Sequence, residues 1–248
     1  MVKFGISYPV VPSHCFDLAF LRLPNSACRT GVVLPSMAPI HNQLEHSIMA
    51  LGKQAKTLSA KQIEIALPYL ATTRHGLRNQ VVFLLSIKAG LRAKEIAGLR
   101  WSMVVDATGQ VGNTINITNA VSKGNNGGRS VPINRELKQH LVQLFDQVSP
   151  HARFDVHAAH VVTTERASFA TAQSVVNQFA KWYSDLGFVG CSSHSGRRTF
   201  ITNAARKIST VGGSVRDVQL MAGHSNLNTT QRYIEVDAEC QRRVVELV

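Results

Sequence analysis

Tyr233 stands nine residues after His224 in the stretch LMAGHSNLNTTQRYIEV, a spacing that joins a phenol nucleophile and a ring hydrogen-bond donor suited to one phosphate. A phenol with an ordinary pKa of about 10 is only ~0.1% ionised at neutral pH, a handicap of roughly 4 kcal/mol that nearby cations and a base must reduce. The chain supplies both. Arg92 lies in AGLRAKEIAGLRW, Lys123 in SKGNNGGRSVPI, and His194 with Arg197 in SSHSGRRTFITNAARK. A phosphodiester is negatively charged, and a trigonal-bipyramidal transition state adds charge on the non-bridging oxygens. The arginine fork answers that need because it stays protonated and donates two parallel hydrogen bonds. His194 and Arg197 are three apart, so on a helix they face one way, whereas Arg198 is expected to point elsewhere. Glu95, one turn beyond Arg92, is placed to hold Arg92 or a neighbouring base. Singly, each feature has a bland explanation: a surface ion pair, a basic helix capped by Ser193, a backbone-contacting loop lysine, a core tyrosine. Agreement of separate positions in one order carries the specificity.

Taken together, these motifs resemble the tyrosine recombinase family of phage integrases over roughly residues 57–240. The resemblance implies a site-specific DNA recombinase, or integrase. Tyr233 attacks a DNA phosphodiester, giving a 3′-phosphotyrosyl link and a free 5′-hydroxyl, and a strand from another duplex then attacks that link without ATP. It implies that Arg92 and Arg197 clamp the phosphate and that His224 hydrogen-bonds to it. Lys123 then reaches from its hairpin into the minor groove and protonates the departing 5′ oxygen, while His194 with Glu95 supports proton transfer and geometry. It also implies no cofactor or metal, double-stranded DNA as partner, a homo-tetramer on DNA, and accessory DNA-bending proteins. Two other functions use the same residues: a type IB topoisomerase, which rejoins the same strand, and a truncated, non-catalytic DNA-binding remnant. The tail AECQRRVVELV, apt for docking on a neighbouring protomer, favours recombinase assembly. One departure stands out. Family members generally carry a helical core-binding domain ahead of the catalytic domain, which the first 50 residues are not expected to supply. The sequence therefore reads as a truncated gene, one with a misassigned start (Met37 and Met49 are internal candidates), or a compact recombinase relying on partners.

The elements that must position these residues begin late in the chain. Five of the eight prolines fall in the first 39 residues, which blocks long helices and central strands, so residues 1–56 are expected to be a poorly ordered segment. Residues 57–248 are then the catalytic domain with its tail. Helices are expected from a Ser59 cap to about Ala66, over 77–90, 135–147 and 171–186, then His194–Lys207, Val215–Ala222 and Thr229–Val236. Strands are expected at 103–107, 114–119 and 130–134. The fold class is mainly α with a small antiparallel β-sheet (α+β). Lys and Arg number 27 against 15 Asp and Glu, with only three basic and two acidic residues in the first 50, so the basic surplus belongs to the motif-bearing region. Such a field concentrates polyanions, nucleic acid foremost. Scattered Cys15, Cys28, Cys191 and Cys240 fit a reducing cytoplasm rather than a disulfide scaffold, and no apolar run approaches a membrane span. His151, His157 and His160, and the Cys191-x-x-His194 pair, lack a second ligand pair at zinc spacing, and His151 to His160 are expected at loop and sheet surface.

Overall fold

The computed structural model describes residues 55–122, 128–233, 242 and 244–246. Lys123, the Pro-rich stretch through residue 54 and most of the tail lie outside them. Helix α1 (Ala60–Ala71) starts at a capping box, in which Gln62 N donates to Ser59 Oγ and Ser59 N to the Gln62 side chain. Helix α2 (Gly76–Lys88) is the centre of the core. Every residue from Val81 to Ile87 is buried, so it offers no solvent face and neighbours must surround it. Burying a side chain such as Phe83 or Leu84 contributes about 1.5–3 kcal/mol.

Helix α3 (Ala93–Gly98) follows, then a 3₁₀ turn (Trp101–Met103) and the antiparallel pair β1 (Thr114–Ile117) and β2 (Arg129–Pro132). Ile115 pairs with Val131, and both face inward, fully buried. Helix α4 (Arg135–Val148) is capped by Asn134 and buries Leu137, Leu141 and Leu144, a stripe at helical spacing. Helix α5 (Ala172–Asp185) is capped by Thr171 and buries Val175, Phe179, Trp182 and Tyr183. Helix α6 (Ser195–Lys207), a 3₁₀ turn (Ile208–Val211), α7 (Val215–Ala222) and α8 (Leu227–Gln231) follow. Helix α2 packs against α1, α4 and α6, and α3 against α5. The α2–α6 contact depends on Gly196, where a Cβ would collide with Ser86 and Ile87. A smaller cluster of Ile201, Val218 and Ala222, with Phe200 and Tyr233 against it, joins α6 to α7.

The mainly helical architecture with a small antiparallel sheet is as expected from the sequence, with local corrections. The strand expected at 103–107 is instead a 3₁₀ turn followed by one isolated bridge, Val105 to Val111. The chain reverses between them because the Asp106 carboxylate accepts from Thr108 N, Thr108 Oγ1 and Gln110 N, closing a turn where a strand would have to continue. The last helix runs from Leu227 to Gln231 rather than starting at Thr229, because Asn226 caps it through Asn228 N. Residues 234–236 of the expected helix lie outside the described part. No helix among the described residues is long and apolar enough to cross a membrane.

Candidate active site

Helix α2 stops before Gly90, and the following turn puts Arg92 at the N-cap of α3. There Glu95 Oε2 accepts from Arg92 N at 2.8 Å and Oε1 from Arg92 Nη1 at 2.9 Å. Arg129, the first residue of β2, grips the same carboxylate with both ends of its fork, Nη1 to Oε1 at 2.7 Å and Nη2 to Oε2 at 2.9 Å. Burial alone would push the Glu95 carboxyl upward, since it is 1% exposed. The Arg129 and Arg92 donors override this and hold it at about 2. With both oxygens occupied by charged donors, Glu95 is built to fix two guanidinium groups rather than to carry a proton.

The C-terminus of α7 organises the cations from the other side. Three successive carbonyls each accept from a different arginine: Met221 O from Arg129 Nε at 2.9 Å, Ala222 O from Arg197 Nη2 at 2.6 Å, and Gly223 O from Arg92 Nη2 at a long 3.4 Å. Unsatisfied carbonyls and the negative end of the helix dipole favour cations there. Gly223 permits the arrangement twice over. Its φ of 63° suits glycine, and a Cβ would strike the Arg129 guanidinium. Arg197 also donates Nη1 to Gly90 O at 2.6 Å and is 3% exposed. Burial first, then the Arg92 charge, lower it to about 9, so it remains a cation at neutral pH.

His224 follows this helix end. Its Nδ1 lies 2.9 Å from Thr230 Oγ1, and its ring stacks on Tyr233 with centroids 5.8 Å apart and planes 16° apart. Burial, with Arg197, Arg92 and Arg129 adding to it, lowers the imidazole to about 4, so it is neutral at pH 7. His194 is the N-cap of α6, and it too is lowered, by burial first and then by Arg197 and Arg92. The shift favours the neutral ring, the form that can accept a proton.

His194, Arg197 and Tyr233 line one cleft of about 300 Å³ together with Arg198, Thr229 and Arg232. Arg92 joins the same group through Gly223 O, next to the Ala222 carbonyl that holds Arg197, and His224 joins it through its stack on Tyr233. Five of the six expected site residues, with Glu95, are thus brought together from α3, α6, the α7–α8 turn and the chain after α8; Lys123 lies outside the described residues. Arg198 departs from expectation. Its guanidinium sits 5.7 Å from the Tyr233 ring centroid, because the turn after α8 brings the phenol over that flank of α6. Arg129 was missed altogether. Its only sequence signal is a basic residue opening the strand after GNNGG, and its partner Glu95 is 34 residues away. A larger cavity of about 860 Å³, lined in part by Trp101, His151, Phe154 and His160, contains none of the expected site residues. Among the described residues no group of three His, Cys, Asp or Glu side chains is placed to hold a metal ion.

Residues 56–239 match the model of the phage integrase family. The tyrosine recombinase XerD of Neisseria meningitidis serogroup B is 28% identical over 164 residues, covering 66% of this chain and 52% of that protein. The tyrosine recombinase XerC of Staphylococcus haemolyticus is 27% identical over 177 residues, covering 69% and 54%. The chain therefore spans about half the length of these relatives. Among solved structures, the XerA recombinase aligns with a TM-score of 0.59 at 21% identity, covering 77% of this chain and 64% of that one. The Tn1549 transposon integrase in complex with circular intermediate DNA aligns at 0.58 and 20% identity, covering 77% and 66%.

Proposed function

This chain belongs to the phage integrase family, and from that premise we propose that it is a site-specific recombinase that cleaves and rejoins double-stranded DNA through a 3′-phosphotyrosyl intermediate. The observation that carries the reading is one basic cleft lined by His194, Arg197 and Tyr233, with Arg92 and His224 joined to these residues. In the forward step, Tyr233 Oη forms a bond to phosphorus as the phosphorus–O5′ bond breaks. The phenolic proton passes to His194, whose surroundings favour the neutral ring, and O5′ takes a proton from Lys123. Arg92 and Arg197 bear the charge on the non-bridging oxygens, the kind of preorganised electrostatics that contributes most to many rates. Their orientation is set before DNA arrives, by Glu95 for Arg92 and by the Gly90 and Ala222 carbonyls for Arg197. Rejoining reverses these transfers with a 5′-hydroxyl as nucleophile, so the bond energy is conserved and no metal or nucleotide is required.

Double-stranded DNA is the partner in this reading, bound by four copies of the chain with accessory DNA-bending proteins, in the cytoplasm. The likeness to an integrase solved in complex with DNA and the net charge of +12 support DNA as the partner. The test is chemical. The protein is incubated with a pool of duplexes carrying a single nick flanked by randomised sequence, denatured and digested. Mass spectrometry should find a nucleotide phosphate on the peptide containing Tyr233. A protein that enriches sequences from the pool without forming any adduct would be a binding remnant instead.

A further inference from the structure

The hydroxyl of Thr230 is completely buried, on a residue 0% exposed, and its partner among the described residues is His224 Nδ1 at 2.9 Å. A buried hydroxyl that leaves its proton unbonded loses its hydration with nothing to replace it. Thr230 sits in α8, where the carbonyls one turn back are the usual alternative acceptors, yet its hydroxyl is committed to the ring instead. The proton on Oγ1 therefore points at Nδ1, and Nδ1 must be an acceptor.

Burial disfavours a second proton on the His224 ring, and the guanidinium charges of Arg197, Arg92 and Arg129 add to that. A neutral imidazole carries one N–H, and if Nδ1 accepts, that hydrogen is on Nε2. We propose that Thr230 is a positioning residue that fixes His224 as the Nε2–H tautomer, so that the ring donates to a phosphate oxygen instead of competing with His194 for the phenolic proton. The stack on Tyr233 holds the ring plane, and Thr230 chooses which face of its chemistry is presented. The proposal rests on the recombinase reading for the phosphate, but the tautomer itself is a property of the free protein.

Histidine labelled with ¹⁵N on both ring nitrogens, in the full chain without DNA, reports the tautomer through long-range nitrogen–proton correlations. The His224 signals are identified by their loss in His224→Gln. Wild type and Thr230→Ser should show protonated Nε2 and unprotonated Nδ1; Thr230→Val, of nearly the same volume, should show mixed tautomers or protonated Nδ1. With the nicked duplex pool, Thr230→Val should form adduct about 10–100-fold more slowly, below the ~10²–10³ expected for removing a donor outright, and Thr230→Ser should recover most of the rate. Protonated Nδ1 in wild type overturns the proposal, as does a Thr230→Val protein that keeps the Nε2–H ring. A tautomer change with no loss of rate in a protein that forms adduct also overturns it. Absence of adduct from wild type would count against the recombinase reading and leave the tautomer result standing.

Discussion

Replacing Arg129 by alanine should remove about 3 kcal/mol of stability at pH 7, and that loss should vanish in acid. Arg129 holds both oxygens of a carboxylate that is 1% exposed, and stripping one partner from a buried ion pair costs roughly 3–5 kcal/mol. Linkage gives a second figure. The Glu95 carboxyl falls from 4.5 to about 2 on folding, which corresponds to about 3 kcal/mol at roughly 1.4 kcal/mol per unit. Because the folded value is depressed, this stabilisation is fully present above about pH 4.5 and is lost as pH falls towards 2. Arg92 still bonds Glu95 in the variant, which places the cost at the low end. Urea unfolding of wild type, Arg129→Ala, Glu95→Gln and the double variant at pH 7 and near pH 2.5 isolates the pair. Other depressed carboxylates, Asp106, Glu165, Asp185 and Asp217, titrate in all four proteins and cancel in the difference. A difference between wild type and Arg129→Ala below about 1 kcal/mol at pH 7, or one that persists unchanged near pH 2.5, would refute the claim that Arg129 neutralises a buried Glu95.

Arg92→Ala and Arg197→Ala should each slow adduct formation by about 10²–10³ in a single-turnover assay, because each removes a preorganised donor to developing charge. Lys123→Ala should be nearly as slow on ordinary DNA and recover on a substrate with a 5′-bridging phosphorothiolate, whose leaving group needs little protonation; an equal defect on both would take Lys123 out of the acid's role. Deleting residues 1–50, which carry three basic and two acidic residues, should leave DNA affinity and its salt dependence almost unchanged in a titration, since each neutralised phosphate adds about −0.9 to the slope of log K against log salt. Abolished binding or a much shallower slope after that deletion would make the segment a DNA-contacting arm.

What was legible in the sequence was local. Helix α7 was found at both ends because Ser214 and Asp217 form a capping box at one and Gly223 takes a left-handed turn at the other. Helix α4 was found within a residue because Asn134 caps it and its leucines repeat at helical spacing. Met103-Val104-Val105 reads as a strand by residue type, yet Met103 and Val104 are buried in the core on a 3₁₀ turn, an outcome of tertiary packing that β-propensity does not register. Arg92, His194, Arg197, His224 and Tyr233, which the structure gathers together, could be picked out because phosphate chemistry restricts residue types and the resemblance supplies an order. Of their supports, Glu95 was legible from its spacing to Arg92, but the others were not: Arg129 meets Glu95 across 34 positions, and Arg198 meets Tyr233 only because α8 ends where it does. Hydrogen bonds to Met221, Ala222 and Gly223 carbonyls leave no trace in side-chain pattern, because any residue supplies a carbonyl.

The most direct test compares wild type with Tyr233→Phe on the nicked duplex pool without added metal. Wild type should become covalently attached to the 3′ phosphate side of the break, with selected sequences emerging from the pool. Tyr233→Phe should enrich the same sequences non-covalently and form no adduct. Covalent attachment by Tyr233→Phe would show that another residue is the nucleophile and contradict the account at its centre.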